Sequence, residues 1–120
     1  MKNCILIMFG GGLGALLRYI ITTILNKRWN LEHWATFWVN LTGCFAIGVL
    51  GEILVNINSG MFLFFIVGLV GSYTTFSTFE YENITLIAKG KHGEFFKYSI
   101  LSCLLGFLAV ACGFYVAKMF

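Results

Sequence analysis

The residues of this chain that could do chemistry are concentrated in the run GSYTTFSTF, residues 71–79. Six hydroxyl side chains lie between Ser72 and Thr78, and apolar sequence precedes and follows them. Where a membrane helix breaks, the released backbone carbonyls can bind a cation, and hydroxyl groups can satisfy the other freed backbone groups. Alternatively, each hydroxyl bonds the carbonyl four residues earlier in a continuous helix. The number of hydroxyls in so short a run favours the break.

Two aromatic residues, Phe76 and Phe79, lie within this run at a spacing of three residues. That spacing places both rings on one face of a helix, beside Ser77 and Thr78. The edge of an aromatic ring carries partial positive charge, so it can contact a small anion without trapping it by a full charge. Ordinary packing between the two rings is the alternative interpretation.

Three further polar residues, Arg18, Thr36 and Asn40, occur in otherwise apolar segments. An amide within a membrane needs partners, so Asn40 is a candidate functional residue, and Thr36 lies one helical turn before it. A hydrogen bond that joins two helices is the alternative role for Asn40. The Arg18 guanidinium must pair with another group, extend to the membrane surface or attract an anion.

Four apolar segments must position these residues, because the charged residues divide the chain into four spans. Each span is about 20 residues or longer, which is enough to cross a membrane as a helix. We predict a single transmembrane domain over residues 1–120, with helices at approximately 3–25, 34–55, 61–88 and 94–118. The third helix would be about 42 Å long and the hydrocarbon core is about 30 Å thick, so this helix must tilt or be interrupted. Gly68 and Gly71 lower the cost of an interruption.

The composition excludes a water-soluble protein. Hydrophobic residues make up 59% of the chain and charged residues 11%, with a mean hydropathy of +0.88, whereas about a quarter of the residues in soluble domains are charged. We therefore expect a multi-pass protein of the plasma membrane or the inner cell membrane. The sequence contains no phosphate-binding loop and no acid–base pair, so we do not expect an enzyme. We also expect no nucleic-acid partner.

The four cysteines lack any CxxC spacing, so we expect buried free thiols rather than disulfides or metal ligands.

Basic residues are distributed unevenly between the two ends of the predicted helices. Four flank the loops and two lie near the termini, namely Lys27, Arg28, Lys89 and Lys91 against Lys2 and Lys118. Because cytoplasmic loops are enriched in Lys and Arg, this distribution modestly favours cytoplasmic loops and external termini. Four helices are too few to enclose a polar pathway, so outward-facing polar residues imply a partner chain, of which a second copy is the simplest.

The chain resembles the small fluoride channel family, called Fluc or CrcB, over its full length. The matching elements are Gly11-Gly12-x-Gly14-Ala15-x-x-Arg18-Tyr19, Thr36-x-x-x-Asn40-x-x-Gly43 and Gly71-x-x-Thr74-Thr75-Phe76-Ser77-Thr78-Phe79. The first two motifs are weak alone, and the third is highly specific. The chain departs from the family pattern at Ser72-Tyr73 and at Glu80, neither of which is a matched functional position.

This resemblance implies an all-α membrane protein of four transmembrane helices, the third of which is broken near the midplane. Two copies would assemble in membrane lipid as an antiparallel, dual-topology homodimer with two fluoride pathways. The backbone carbonyls of Gly71 and Thr74 from both copies would bind one structural sodium ion at the centre. The implied function is passive, fluoride-selective conduction that exports fluoride across the cell membrane.

The resemblance also implies roles for individual side chains. The rings of the third helix would border the anion pores and face the amide of the second helix across the subunit interface. The expected pore residues are Asn40, Phe76, Phe79, Ser77, Thr78, Thr36, Tyr98 and Ser102. Arg18 and Glu82 would belong to a vestibule at the end of the pore.

Two other functions have to be weighed against conduction. A small dual-topology multidrug-type exporter has a similar size, but its proton coupling needs a buried acid in the first span, and residues 3–25 contain none. A membrane scaffold protein would explain the glycines and the apolar helices. It would not need Asn40 and the hydroxyl run together at membrane depth.

Overall fold

The computed structural model of the chain describes residues 1–29, 33–54 and 59–119, and within these ranges all regular structure is helical. The elements are α1 (Lys2–Trp29), α2 (His33–Leu54), α3 (Ser59–Phe62), a π-helix (Leu63–Val70), α4 (Gly71–Tyr73), α5 (Phe76–Ala88) and α6 (His92–Lys118). Residues Ser59–Ala88 together form the third span. This span, α1, α2 and α6 are each long and apolar enough to cross a membrane. The predicted all-α class with four membrane spans is therefore confirmed.

The first and last helices extend beyond their predicted bounds. α1 continues past residue 25 through Lys27 and Arg28 to Trp29, and α6 begins at His92 rather than residue 94. Lys and Arg are good helix formers and are favoured at the end of a helix, where the last carbonyls carry partial negative charge. The predicted end of the second helix at residue 55 lies outside the described residues.

The backbone of the third span changes conformation twice. Leu63–Val70 is a π-helix, which the sequence pattern does not predict. Thr74 and Thr75 lie between α4 and α5 with extended angles, their ψ values being 156° and 119°. Gly71 is helical, with φ −61° and ψ −32°. The extended residues are thus threonines rather than a glycine, because an extended backbone accommodates a β-branched side chain well.

The glycines of α1 and the π-helix serve close packing between these two helices. A Cβ atom on Gly10 or Gly14 would overlap the carbonyl oxygen of Phe64 or Leu69, respectively. A Cβ atom on Gly68 would approach the backbone of α1 to 2.9 Å. Residues without a side chain let two backbones approach in this way.

α2 and α6 form the second close helix pair. A Cβ atom on Gly48 or Gly113 would overlap the backbone of the opposite helix. An aromatic core connects this pair to α5 through the buried side chains of Phe37, Phe79, Leu86 and Tyr98. The third span is therefore held by α1 along its first half and by α2 and α6 along its second half.

A tight turn at Gly90 joins α5 to α6. Gly90 has a positive φ of 71°, and its N–H donates to the carbonyl of Ile87 while the Lys91 N–H donates to the carbonyl of Leu86. These two bonds form a Schellman motif, in which glycine readily adopts the left-handed conformation. The turn makes α5 and α6 antiparallel neighbours and brings Tyr98 within hydrogen-bond distance of α5.

Candidate functional site

The Asn40 side chain of α2 binds the backbone of Thr75, the second extended residue. Its Nδ2 donates to the Thr75 carbonyl oxygen at 3.0 Å, and its Oδ1 accepts from the Thr75 N–H at 2.8 Å. The amide thus pairs with the main chain as a neighbouring strand would, and both backbone groups of Thr75 are satisfied. We call these two hydrogen bonds the Asn40 clamp.

The Asn40 clamp has two chemical consequences. In a continuous helix the Thr75 N–H would bond the Gly71 carbonyl, but here it donates to Asn40 instead. The Gly71 carbonyl oxygen is therefore released from that helical bond. The Asn40 amide nitrogen carries two N–H groups and Thr75 accepts from only one, so the other can bond a further acceptor.

Thr75 also caps the start of α5 with its hydroxyl. Its Oγ1 accepts from the Thr78 N–H at 3.3 Å and donates to the Thr78 Oγ1 at 3.0 Å, and the Ser77 Oγ lies 3.3 Å away. Threonine is a favoured N-cap residue for this reason. The Thr74 hydroxyl instead donates to the Val70 carbonyl at 3.1 Å. This is the side-chain bond to the carbonyl four residues earlier that a continuous helix also allows.

An apolar groove with a volume of about 290 Å³ opens beside the Asn40 clamp. We call it the Asn40 groove, and its walls are formed by Asn40, Cys44, Ile47, Thr74, Thr75, Phe76, Phe79, Ser102 and Cys103. The ring centroids of Phe76 and Phe79 are 6.0 Å apart. Phe76 is 74% exposed, whereas Phe79 is only 9% exposed and packs against Tyr98. Phe79 therefore belongs to the core, and Phe76 projects from the surface of the single chain.

Ser102 is the polar residue that α6 contributes to the Asn40 groove. Its Oγ is buried and has no hydrogen-bond partner within the part of the chain that the structure describes. Leaving a buried hydroxyl unpaired costs roughly 1–3 kcal/mol, so an acceptor at this position would be favourable. The groove thus contains two groups with unused hydrogen-bonding capacity, the Asn40 amide and the Ser102 hydroxyl.

A second polar network surrounds Glu82 of α5. The Tyr98 hydroxyl donates to Oε2 and the Thr36 hydroxyl donates to Oε1, both at 2.7 Å. Tyr98 is fully buried and Thr36 is 3% exposed. Neither residue lines the Asn40 groove, although the Tyr98 ring packs against Phe79, which does.

The Arg18 side chain of α1 reaches the extended segment of the third span. Its Nη1 donates to the Thr74 carbonyl at 3.3 Å. Arg18 also lines a polar cavity of about 340 Å³, which we call the Arg18 cavity, together with Thr36, Thr78 and Glu82. No carboxylate in the described ranges lies within ion-pair distance of this guanidinium. A cation that lacks a carboxylate partner can attract an anion.

The predicted site residues therefore divide between two cavities. Asn40, Phe76, Phe79 and Ser102 line the Asn40 groove, whereas Arg18, Thr36, Thr78 and Glu82 line the Arg18 cavity. Thr75 lines both, so the extended segment separates the two. Of the remaining residues, Tyr98 is buried in the core, and Ser77 is exposed and near the Thr75 hydroxyl.

Sequence reasoning missed some of these features. The alternative role of Asn40, a hydrogen bond that joins two helices, is found in the structure, but the sequence does not reveal that the partner is the backbone of Thr75. The signal was present, since an amide and a helix interruption occur in neighbouring spans. It also missed Asn83, which is buried and accepts a hydrogen bond from the Ser99 hydroxyl at 3.0 Å.

The cysteines also differ from expectation. All four are free thiols, as predicted, but Cys4, Cys103 and Cys112 are exposed and Cys44 is half-buried. The prediction that they are buried is wrong for the single chain. Apolar sequence in a membrane protein faces lipid as well as protein, so an apolar neighbourhood does not imply burial.

The carbonyl oxygens of Gly71 and Thr74 are hard ligands of the kind that broken membrane helices present to sodium. The Gly71 oxygen lacks its helical donor because of the Asn40 clamp. The Thr74 oxygen has two lone pairs, of which Arg18 uses one. Both residues therefore fit the sodium ion that the resemblance implies, although two carbonyls are too few to replace the ion's hydration shell.

The chain is similar to known proteins over nearly its entire length. The family described as "CrcB-like protein, Camphor Resistance (CrcB)" matches residues 5–114. The "Fluoride-specific ion channel FluC" of Phocaeicola vulgatus is 39% identical over 121 residues, which cover 98% of this chain and 100% of that protein. The FluC protein of Flavobacterium psychrophilum is 40% identical over 122 residues, 98% of each chain. "Fluoride-specific ion channel FluC 1" of Ligilactobacillus salivarius is 37% identical over 113 residues, 94% of this chain and 97% of that protein. The chain is therefore a multi-pass membrane protein that belongs to the CrcB-like family.

Proposed function

We propose that this chain forms a passive, fluoride-selective channel that exports fluoride across the cell membrane. The observation that carries the proposal is the Asn40 groove, which brings an amide and two aromatic rings together at the extended segment of the third span. Relatives that match nearly the full chain are named fluoride-specific ion channels, which supports fluoride as the ion. Conduction needs no covalent chemistry, so we propose no enzymatic activity.

The groups in the groove suit the chemistry of fluoride. Fluoride holds its water tightly, so a pore must replace that water with other hydrogen-bond donors. The second N–H of Asn40 and the hydroxyl of Ser102 are such donors, and the edges of Phe76 and Phe79 add partial positive charge. Because none of these groups carries a full charge, each would bind fluoride weakly enough to release it.

A second copy of the chain would complete the pathways. The Asn40 groove is open on one side, and the Phe76 side chain projects from the surface instead of closing it. A homodimer is the commonest closed assembly, and an antiparallel one could place Phe76 of each copy at the groove of the other. This arrangement gives two equivalent pathways surrounded by membrane lipid. It requires that the chain inserts in both orientations.

A structural sodium ion between the two copies is also part of the proposal. The Gly71 and Thr74 carbonyls of both copies would hold it at the place where the two interrupted spans meet. When bound, the ion would join the two extended segments through its positive charge. This role agrees with the released Gly71 carbonyl and with the remaining lone pair of the Thr74 carbonyl.

The Arg18 cavity would serve as the vestibule. The positive charge of Arg18 would raise the local concentration of fluoride. Glu82 lines the same cavity, and its negative charge would oppose this effect, while hydrogen bonds from two hydroxyl groups hold its carboxylate in place. The cavity thus places one cation, one carboxylate and hydrogen-bonding side chains next to the extended segment.

Purified protein in liposomes tests this function. We expect liposomes that contain sodium to release fluoride down its gradient without any nucleotide, as measured with a fluoride electrode, and to retain chloride. Release no faster than from protein-free liposomes would refute conduction. Equal release of chloride would refute fluoride selectivity.

A further inference from the structure

Two cysteines lie where the Asn40 groove meets a neighbouring cavity. Cys44 of α2 and Cys103 of α6 line the groove together with Ser102. The same three residues line a second cavity of about 240 Å³, which continues between α2 and α6 toward Gly106 and Phe107. Because the two cavities share these residues, we call this place the thiol junction.

The Cys44 sulfur lies beside Gly106 of α6. A Cβ atom on Gly106 would be 3.5 Å from the Cys44 Sγ, so this sulfur occupies space beside α6 that a side chain could otherwise fill. Gly106 follows Cys103 by three residues, and residues at that spacing are neighbours on a helix surface, with Cβ atoms about 5–6 Å apart. The two cysteines therefore face the same small volume from opposite helices.

The chemistry of this volume suits a soft cation. Thiolates are the preferred ligands of soft metal ions, and both cysteines are free. Cys103 is exposed and Cys44 is half-buried, so an ion in the groove can reach them. The unpartnered Ser102 hydroxyl offers a further oxygen ligand. No group of three or more His, Cys, Asp or Glu in the described ranges could hold a metal ion, so the site has at most two such ligands.

We propose that the thiol junction is an inhibitory binding site for soft divalent cations, with Cys44 and Cys103 as its thiolate ligands. The inhibitory role depends on the proposed channel function, since the bound ion would obstruct the groove through which fluoride passes. Two metal–sulfur bonds form, two S–H bonds break, and the two protons pass to the solvent. No atom is oxidised or reduced, so a chelator reverses the reaction.

Fluoride efflux from liposomes that contain the full chain tests the site, with cadmium ion as the probe. We expect cadmium on both sides of the membrane to abolish efflux and EDTA to restore it. Cys44→Ser and Cys103→Ser should each release fluoride at the same rate with cadmium as that variant shows without cadmium. Cys4→Ser and Cys112→Ser are matched controls, because neither cysteine lines the two cavities, and both should be blocked like the unaltered chain.

A second measurement is independent of conduction. Ultraviolet absorption from thiolate-to-cadmium charge transfer should appear in the purified protein and disappear in Cys44→Ser and in Cys103→Ser. Absence of this absorption in the unaltered chain would overturn the site, as would a block that persists in both variants. Binding without any loss of efflux would overturn the inhibitory role. If no fluoride is released before cadmium is added, the channel proposal fails, and the absorption alone decides whether the site exists.

Discussion

At the scale of single residues, Asn40 explains how a membrane span accommodates extended backbone. An unpaired N–H or C=O group in the hydrocarbon region costs several kcal/mol, because no water is present to bond it. The Asn40 amide carries a donor and an acceptor at the spacing that the Thr75 backbone requires. The same residue keeps one N–H for another acceptor. Asn40 therefore supports the extended segment and also offers a hydrogen-bond donor to fluoride in the proposed pore.

Asn40→Leu removes both hydrogen bonds of the clamp with little change in side-chain volume. We expect it to abolish fluoride efflux and to lower the free energy of unfolding, by about 1–3 kcal/mol for each of the two unpaired Thr75 groups. Thr85→Val is the matched control, since the Thr85 hydroxyl donates to the Tyr81 carbonyl of its own helix and Thr85 lines neither the Asn40 groove nor the Arg18 cavity. Efflux assays and thermal unfolding in detergent measure both effects. Normal stability of Asn40→Leu would contradict a supporting role for the clamp.

At the scale of helices, the contact between α1 and the third span aligns the site. Gly14 packs against the backbone at Leu69, and Arg18, one turn later, donates to the Thr74 carbonyl. The close approach of the two backbones therefore determines how far the guanidinium reaches. A side chain at Gly14 would push α1 away from the extended segment.

Gly14→Ala tests this contact, and Gly12→Ala is its control, because a Cβ atom on Gly12 would have no neighbour within 4 Å. Overpacking costs about 1–3 kcal/mol, so we expect Gly14→Ala to lower the free energy of unfolding by about that amount. Gly12→Ala should leave it unchanged or raise it slightly, since alanine forms helices better than glycine. Thermal unfolding of the two variants is the measurement, and equal shifts in both would argue against the contact.

The sequence predicted the four spans because length and hydropathy depend on the membrane and not on contacts within the chain. It favoured a break within residues 71–79, but it did not predict the π-helix or that Thr74 and Thr75 would be the extended residues. The extended residues are bonded by Asn40, 35 residues away in the sequence, and such a contact leaves no local periodicity. The resemblance implies that the hydroxyls of Thr36 and Tyr98 belong to the pore. Only helix packing directs those hydroxyls to Glu82.

At the scale of the whole molecule, the proposed antiparallel dimer depends on how the chain inserts. Basic residues are more numerous at the loop end, although Lys91 there forms an ion pair with Glu94 at 3.3 Å. Acidic residues contribute little to orientation, so this ion pair does not cancel the basic excess. The excess therefore works against equal insertion in the two orientations, which makes topology a sharp test of the proposed assembly.

We expect a tag at the C-terminus to be accessible from both sides of the membrane in similar amounts, because both orientations are needed for an antiparallel dimer. Protease protection of the tag in sealed, right-side-out vesicles measures the two populations. Permeabilised vesicles serve as the control, since all of the tag should be cleaved in them. A tag that is confined to one side would rule out dual topology for this chain acting alone.

The Asn40 clamp also limits which substitutions this protein can accept in evolution. Two side chains that bond each other can be replaced together, since a change in one creates room for a compensating change in the other. Asn40 instead bonds the N–H and C=O groups of Thr75, which nearly every amino acid at that position would present unchanged. A substitution at position 75 therefore does not compensate for loss of the amide, so we expect positions 40 and 75 not to covary.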